Sequence, residues 1–95
     1  MKTMLNLKVP ISIFKEGKTY IAYSPVLDLS TSGRTVVLVE KRFAEAVKLF
    51  FEELVEMGTL DDVLSSLGWE KVRSKWSPPV PISHEFTNVS IPFSH

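Results

Sequence analysis

Apolar residues fall at every second position at the start of the chain: Leu5, Leu7, Val9, Ile11 and Ile13, with Asn6, Lys8 and Ser12 between them. This alternation predicts a strand with one buried face. Pro10 cannot donate to a ladder, which puts the strand at a sheet edge or makes it bulge there. Lys15 to Lys18 is a short polar turn, with Gly17 for the positive-φ position, and it predicts a hairpin. Thr19 to Ser24 is rich in β-branched and aromatic residues and reads as the second strand, stopped at Pro25. A short third strand follows from Leu29 to Ser32 and ends at Gly33.

The period then changes. From Val36 to Met57 apolar residues recur at 36, 39, 43, 46, 47, 50, 54 and 57, the stripe of a helix that packs on a sheet. Thr35 is placed to cap its start and Gly58 to end it. Val37, Ala44, Phe51 and Val55 form a second stripe, so the apolar arc is wider than one sheet requires. The expected cover is the short helix or the C-terminal segment. Thr59 is expected to cap a short helix whose apolar face is Leu60, Val63, Leu64 and Leu67, with Asp61 and Asp62 near its positive end and Gly68 after it. Trp69 to Trp76 can run as a strand. Ser77 to Pro81 is a stiff extended linker, and His84 to Phe93 is strand-like, with Val89, Ile91 and Phe93 in alternation. The predicted fold is α+β: an antiparallel sheet of three to four strands on one long and one short helix, in the order β-β-β-α-α-β. Residues 1–76 form the domain and 77–95 a proline-linked C-terminal extension.

Composition narrows the function more than it names it. The chain has 95 residues, 44% hydrophobic and 23% charged, with formal net charge zero. That suits one domain of modest stability, for which a partner would help. Nothing in the overall charge suggests capture of nucleic acid or an anionic membrane. No stretch approaches the ~18 apolar residues of a membrane span. The alternating N-terminus does not read as a signal peptide, so the expected location is the cytoplasm. There are no cysteines, which removes disulfides, thiol catalysis and the commonest structural zinc ligands.

Gly17, Tyr20, Ala22, Pro25 and Asp28, followed by Ser32, Gly33 and Thr35 at the helix start, resemble the HicB-like antitoxin family. Leu49-Phe-Phe-Glu-Glu-Leu54, Gly58, Leu60, Leu64 and Leu67-Gly-Trp69 extend the likeness over roughly residues 5–69. The resemblance implies a degenerate RNase H-like core whose role is to bind and sequester a small RNA-cleaving HicA-like toxin. Longer members of that family add a helix-turn-helix or ribbon-helix-helix module for their own promoter. Here fewer than thirty residues follow Trp69, and they hold four of the six prolines. The expectation is a short form without a DNA-binding module of its own. A further departure is Leu38-Val39, where the family commonly has Glu-Ala.

Candidate chemistry is sparse. A nuclease on an RNase H-like core would need converging carboxylates. Glu16, Asp28, Glu40 and Glu45 are scattered over a turn, a loop and different helix angles. Only Glu40 falls inside the apolar arc. His84 and His95 have no ligating residues near them in sequence, and no serine sits in a nucleophile-elbow context. The expectation is therefore no enzyme, no metal and no cofactor. The expected partner surface is the polar ridge of Ser30, Ser32 and Arg34 with the helix start. Phe86, Val89, Ile91 and Phe93 are expected to pair across a homodimer or higher homo-oligomer, because a lone terminal strand leaves an edge unburied. Lys71, Arg73 and Lys75, alternating between two tryptophans, are the alternative as an RNA-binding face. The ordinary reading of that strand is a solvated face with Val72 and Trp76 turned inward.

Overall fold

Thr19–Ser24 forms the middle of the sheet: it is rich in β-branched and aromatic residues, has no proline to interrupt either ladder, and is the most buried of the sheet's three strands. A computed structural model describes residues 7–94. In it the chain folds as β1 (Ser12–Glu16), β2 (Thr19–Ser24), β3 (Leu29–Gly33), α1 (Val36–Met57), α2 (Leu60–Ser66), β4 (Glu70–Val72) and β5 (Lys75–Ser77). The first three strands make an antiparallel sheet in the order β1-β2-β3, and β4 and β5 form a separate hairpin. Ile13 pairs with Ala22, which pairs with Thr31, and Phe14 pairs with Ile21, which pairs with Ser32. Gly17 holds φ 62 in the β1–β2 loop, the pattern of a II′ turn. No helix among the described residues is long and apolar enough to cross a membrane.

The core lies between the sheet and the helices in two clusters. Ala22, Val39 and Phe43 form one, under the strands. Val26, Leu27, Phe51, Leu64 and Trp69 form the other, at the end of the sheet. Val9, Leu29 and Val47 pack against both and join them. Gly33 is buried where β3 meets α1: a Cβ there would stand 3.0 Å from the Val39 nitrogen and 3.2 Å from its Cα. The strand can approach the helix this closely only without a side chain.

Both helices end in the same device. The Gly58 N–H donates to Val55 and the Thr59 N–H to Leu54, while the Gly68 N–H donates to Ser65 and the Trp69 N–H to Leu64. Each is a Schellman turn, with the glycine at positive φ. The second turn delivers Trp69 into the core, where its indole N–H donates to the Val26 carbonyl at 2.8 Å. The Phe51 ring meets the indole edge-on at 6.2 Å between centroids.

Several expectations are corrected. Leu7 to Ile11 is not strand; Leu7 and Val9 alternate because they pack on the core clusters, and the sheet begins only after Pro10, which cannot donate to a ladder. Leu5 and Asn6 lie outside the described residues. Thr35 caps α1 through its Oγ1, which accepts from the Leu38 N–H at 3.0 Å, but Thr59 makes no side-chain cap. Its backbone is already committed to the turn that closes α1, at φ −111 and ψ 9, and is not extended as an N-cap requires. Trp69–Trp76 is a hairpin and not a single strand, because Arg73 and Ser74 take φ 51 and 66, a I′-like turn. Trp69 is the buried tryptophan, Trp76 is half-buried and Val72 is exposed. Of the second helix stripe Phe51 is covered, whereas Val37, Ala44 and Val55 remain exposed. Residues 78–94 hold no regular element: their alternation suits a strand, but a strand exists only against a neighbour.

Two stability contrasts follow. Thr35→Ala is expected to cost ~1 kcal/mol, while Thr59→Ala costs much less, since it has no cap bond to lose; urea midpoints of the two variants measure the gap. Trp69→Phe is expected to cost at least ~1–3 kcal/mol, because the Val26 carbonyl is left buried without its donor. A near-neutral urea midpoint for Trp69→Phe would show that this bond is not what holds the second cluster.

Candidate functional site: the open face of the sheet

α1 packs across β3 and β2 on one side of the sheet, leaving the other side uncovered. Side chains on that outer face are set by register. Ser12, Tyr23 and Ser30 form one row, and Phe14, Ile21 and Ser32 the next. Phe14 is 54% exposed, and Tyr23 and Ile21 are half-buried. Ser30 therefore stands beside Tyr23 and Ser32 beside Ile21, with Phe14 at the far end of the same row. Arg34 is exposed in the bend just beyond β3, and the ridge continues into the start of α1, where Val36 and Val37 are also exposed.

Two contacts stiffen this surface. The Tyr23 hydroxyl donates to Asp28 Oδ1 at 3.2 Å. Asp28 sits at φ 50 in the β2–β3 loop, a conformation that short polar side chains tolerate best. Partial desolvation raises the Tyr23 pKa above its ordinary 10.0, and the Asp28 hydrogen bond and negative charge push in the same direction. At the free side of β3, Arg42 Nη1 donates to the Ser32 carbonyl at 3.0 Å. Sequence reasoning missed Phe14, Tyr23 and Arg42. The available signal was the adjacent pair Ile13-Phe14: on a strand, neighbours point to opposite faces, so only one of them can enter the core.

The remaining sequence candidates are dispersed. Lys71, Arg73 and Lys75 do not share a face. Lys71 pairs with Trp76 and Val72 with Lys75, so the two lysines point to opposite sides and Arg73 caps the tip. A single strand would have aligned them; the turn at Arg73-Ser74 folds the segment and separates them. Lys71 is also engaged, its Nζ lying 5.6 Å from the Trp76 ring centre and 3.7 Å from Asp61 Oδ2. Phe86, Val89, Ile91 and Phe93 are strongly exposed along the C-terminal arm. Glu16, Glu40 and Glu45 are exposed, His84 lies on the arm, and His95 is outside the described residues. Among the described residues no three His, Asp or Glu side chains gather as a metal site would need. The Ser24 hydroxyl is fully buried on the helix side, with no hydrogen-bond partner among the described residues.

No family model, curated protein or solved structure matches this chain. Its function is therefore argued from the surface itself. That surface has aromatic anchors, small hydroxyls and one flanking cation on a rigid sheet, the mixture that suits a protein contact.

The raised Tyr23 pKa has a testable sign. Folding holds the phenol proton more tightly than the unfolded chain does. The contribution is therefore complete below pH 10.0 and lost as pH rises through the shifted value. Alkaline denaturation is expected to weaken the wild type more than Tyr23→Phe. In Asp28→Asn the tyrosinate absorbance should appear at lower pH. An unchanged titration in Asp28→Asn would remove Asp28 as a cause.

Proposed function

We propose that this protein is a protein-binding module that acts by covering the working surface of a small RNA-cleaving partner, as the resemblance to HicB-like antitoxins implies. The observation that carries the reading is the uncovered sheet face, which presents Phe14, Ile21 and Tyr23 together with Ser30 and Ser32, with Arg34 just beyond its β3 end. The mechanism is steric: no bond is made or broken, and the protein is not an enzyme. The half-buried aromatics supply apolar area at low entropic cost, since a ring loses few rotamers when buried. Arg34 and the exposed turn of α1 flank them and set the orientation of the partner. The partner this suits is a HicA-like toxin, a basic domain whose RNA-cutting histidine would be shielded on docking. The RNase H-like description of the core belongs to the same reading. So does a cytoplasmic setting, where messenger RNA is found.

The test begins with the neighbouring reading frame. Co-expression is expected to give a stable complex with a small basic protein, and this chain should restore growth of cells producing that protein. By calorimetry Tyr23→Ala and Arg34→Glu are each expected to weaken the complex by ~1–3 kcal/mol, with the far-ultraviolet circular dichroism unchanged. Full affinity in both variants would move the contact elsewhere. Binding or cleavage of RNA by the chain alone would replace the reading with a nucleic-acid function.

A further inference from the structure

The sheet has two edges, and they differ. In a two-residue hairpin the flanking residues, here Glu16 and Thr19, form a hydrogen-bonded pair. Counting back by twos, Phe14 and Ser12 also bond toward β2. Ile13 and Lys15 therefore aim their backbone N–H and C=O groups away from the sheet. The same count across β2 makes Ser30 and Ser32 the outward residues of β3. At that second edge Arg42 lies on the Ser32 carbonyl. At the β1 edge, among the described residues, no strand is paired. α1 covers β3 and β2 and not β1, so Ile13 on the helix side of β1 stays 36% exposed.

The same chain carries a segment with the opposite deficiency. Pro78 to Pro81 leads out a stretch in which Ile82 and Phe86 are fully exposed and Val89 and Ile91 are mostly so. The molecule measures 62 × 30 × 23 Å with a radius of gyration of 16.8 Å, against about 12 Å for a compact chain of this length. Prolines at 78, 79 and 81 keep the root of the arm extended. The root passes Pro10, Ile11 and Ser12 across a cleft of about 590 Å³, but beyond it, among the described residues, no strand forms on the chain's own β1.

We propose that the C-terminal arm of one copy adds as an antiparallel strand to the β1 edge of a second copy, and the reverse, giving a two-fold arm-exchanged dimer. Val89 lies opposite Lys15 and Ile91 opposite Ile13. Residues directly opposite share a face, so Ile91 covers Ile13, and Val89 reaches it diagonally beside the stem of Lys15. Parity also accommodates Pro92. With 89 and 91 bonded to β1, residue 92 faces away from it, where its missing N–H costs nothing. Arm residues 82–93 and edge residues 11–16 on each copy approach the ~20–30 residues per side of a stable interface. A second copy fits better than an unrelated partner, because edge and arm match in parity and occur on one chain in equal number.

The experiment uses full-length protein in sedimentation equilibrium and an oxidation assay. The wild type is expected to be a dimer. Val89→Asp with Ile91→Asp, in the exposed arm, is expected to be a folded monomer by circular dichroism. Ile13→Pro removes only the outward N–H of an edge residue and is also expected to be monomeric. Mixing these two variants restores dimer, since one still has an edge and the other an arm. Should Ile13→Pro not fold, cysteine probes decide the matter, because the native chain has none. Mixed Lys15→Cys and Val89→Cys proteins are expected to give a hetero-crosslinked dimer. A monomeric wild type, a dimer that survives the arm substitutions, or failure of the mixed cysteine pair to cross-link overturns the proposal. A wild type that gains mass in sedimentation only when a different protein is added would assign the arm to that protein instead.

Discussion

The hydrogen bond from the Trp69 indole to the Val26 carbonyl ties together segments 43 residues apart and closes the second core cluster. A buried carbonyl in a loop must find a donor, and the loop from Pro25 to Asp28 has no ladder of its own to supply one. Trp69 supplies it from the far side of both helices. The ring then fills the space between Phe51 and Leu64, so one residue satisfies a polar group and an apolar cavity together. The helices are positioned by this arrangement as much as by the sheet. α2 is only seven residues long and is held by burial of Leu64 and by the turn that introduces Trp69, not by a side-chain cap.

The loop held in this way also supports the outer surface. Val26 and Leu27 point into the core, and the next residue is Asp28 at positive φ with its carboxylate on Tyr23. The core thus reaches the open sheet face in one turn of chain. A phenol fixed from behind is a better anchor than a mobile one, because less freedom is lost when a partner covers it.

Much of the architecture could be read from the chain. β2 and α1 are plain in it because the strand is bounded by Gly17 and Pro25 and the helix by Thr35 and Gly58, and because each apolar period matches its element. Errors arose where one local pattern served two purposes. Alternation from Leu7 to Ile11 reflects packing on core clusters, not sheet pairing. Thr59 looks like a cap, but the preceding helix has already set its backbone. A strand-like run from Trp69 to Trp76 hides a turn, since Arg73 and Ser74 are not residues that normally signal positive φ. The site was legible in part. Ser30 and Ser32 follow from strand parity, whereas Tyr23 and Phe14 join those serines on one face only through register across three strands. Arg42 reaches β3 because the turn after Gly33 folds α1 back over the sheet, and no sequence spacing carries that information.

That arginine gives the sheet a direction of growth. Its guanidinium lies on the outward carbonyl of Ser32 and leaves β1 as the receptive margin. Ribbon-like stacking into fibres needs two receptive margins on every copy, so that each addition creates the next docking place. In the proposed exchange each copy offers one edge and one arm, so it is the two-fold, reciprocal pairing that closes the assembly. The arginine obstructs edge-to-edge stacking at β3, one of the ways a bare strand edge could polymerise.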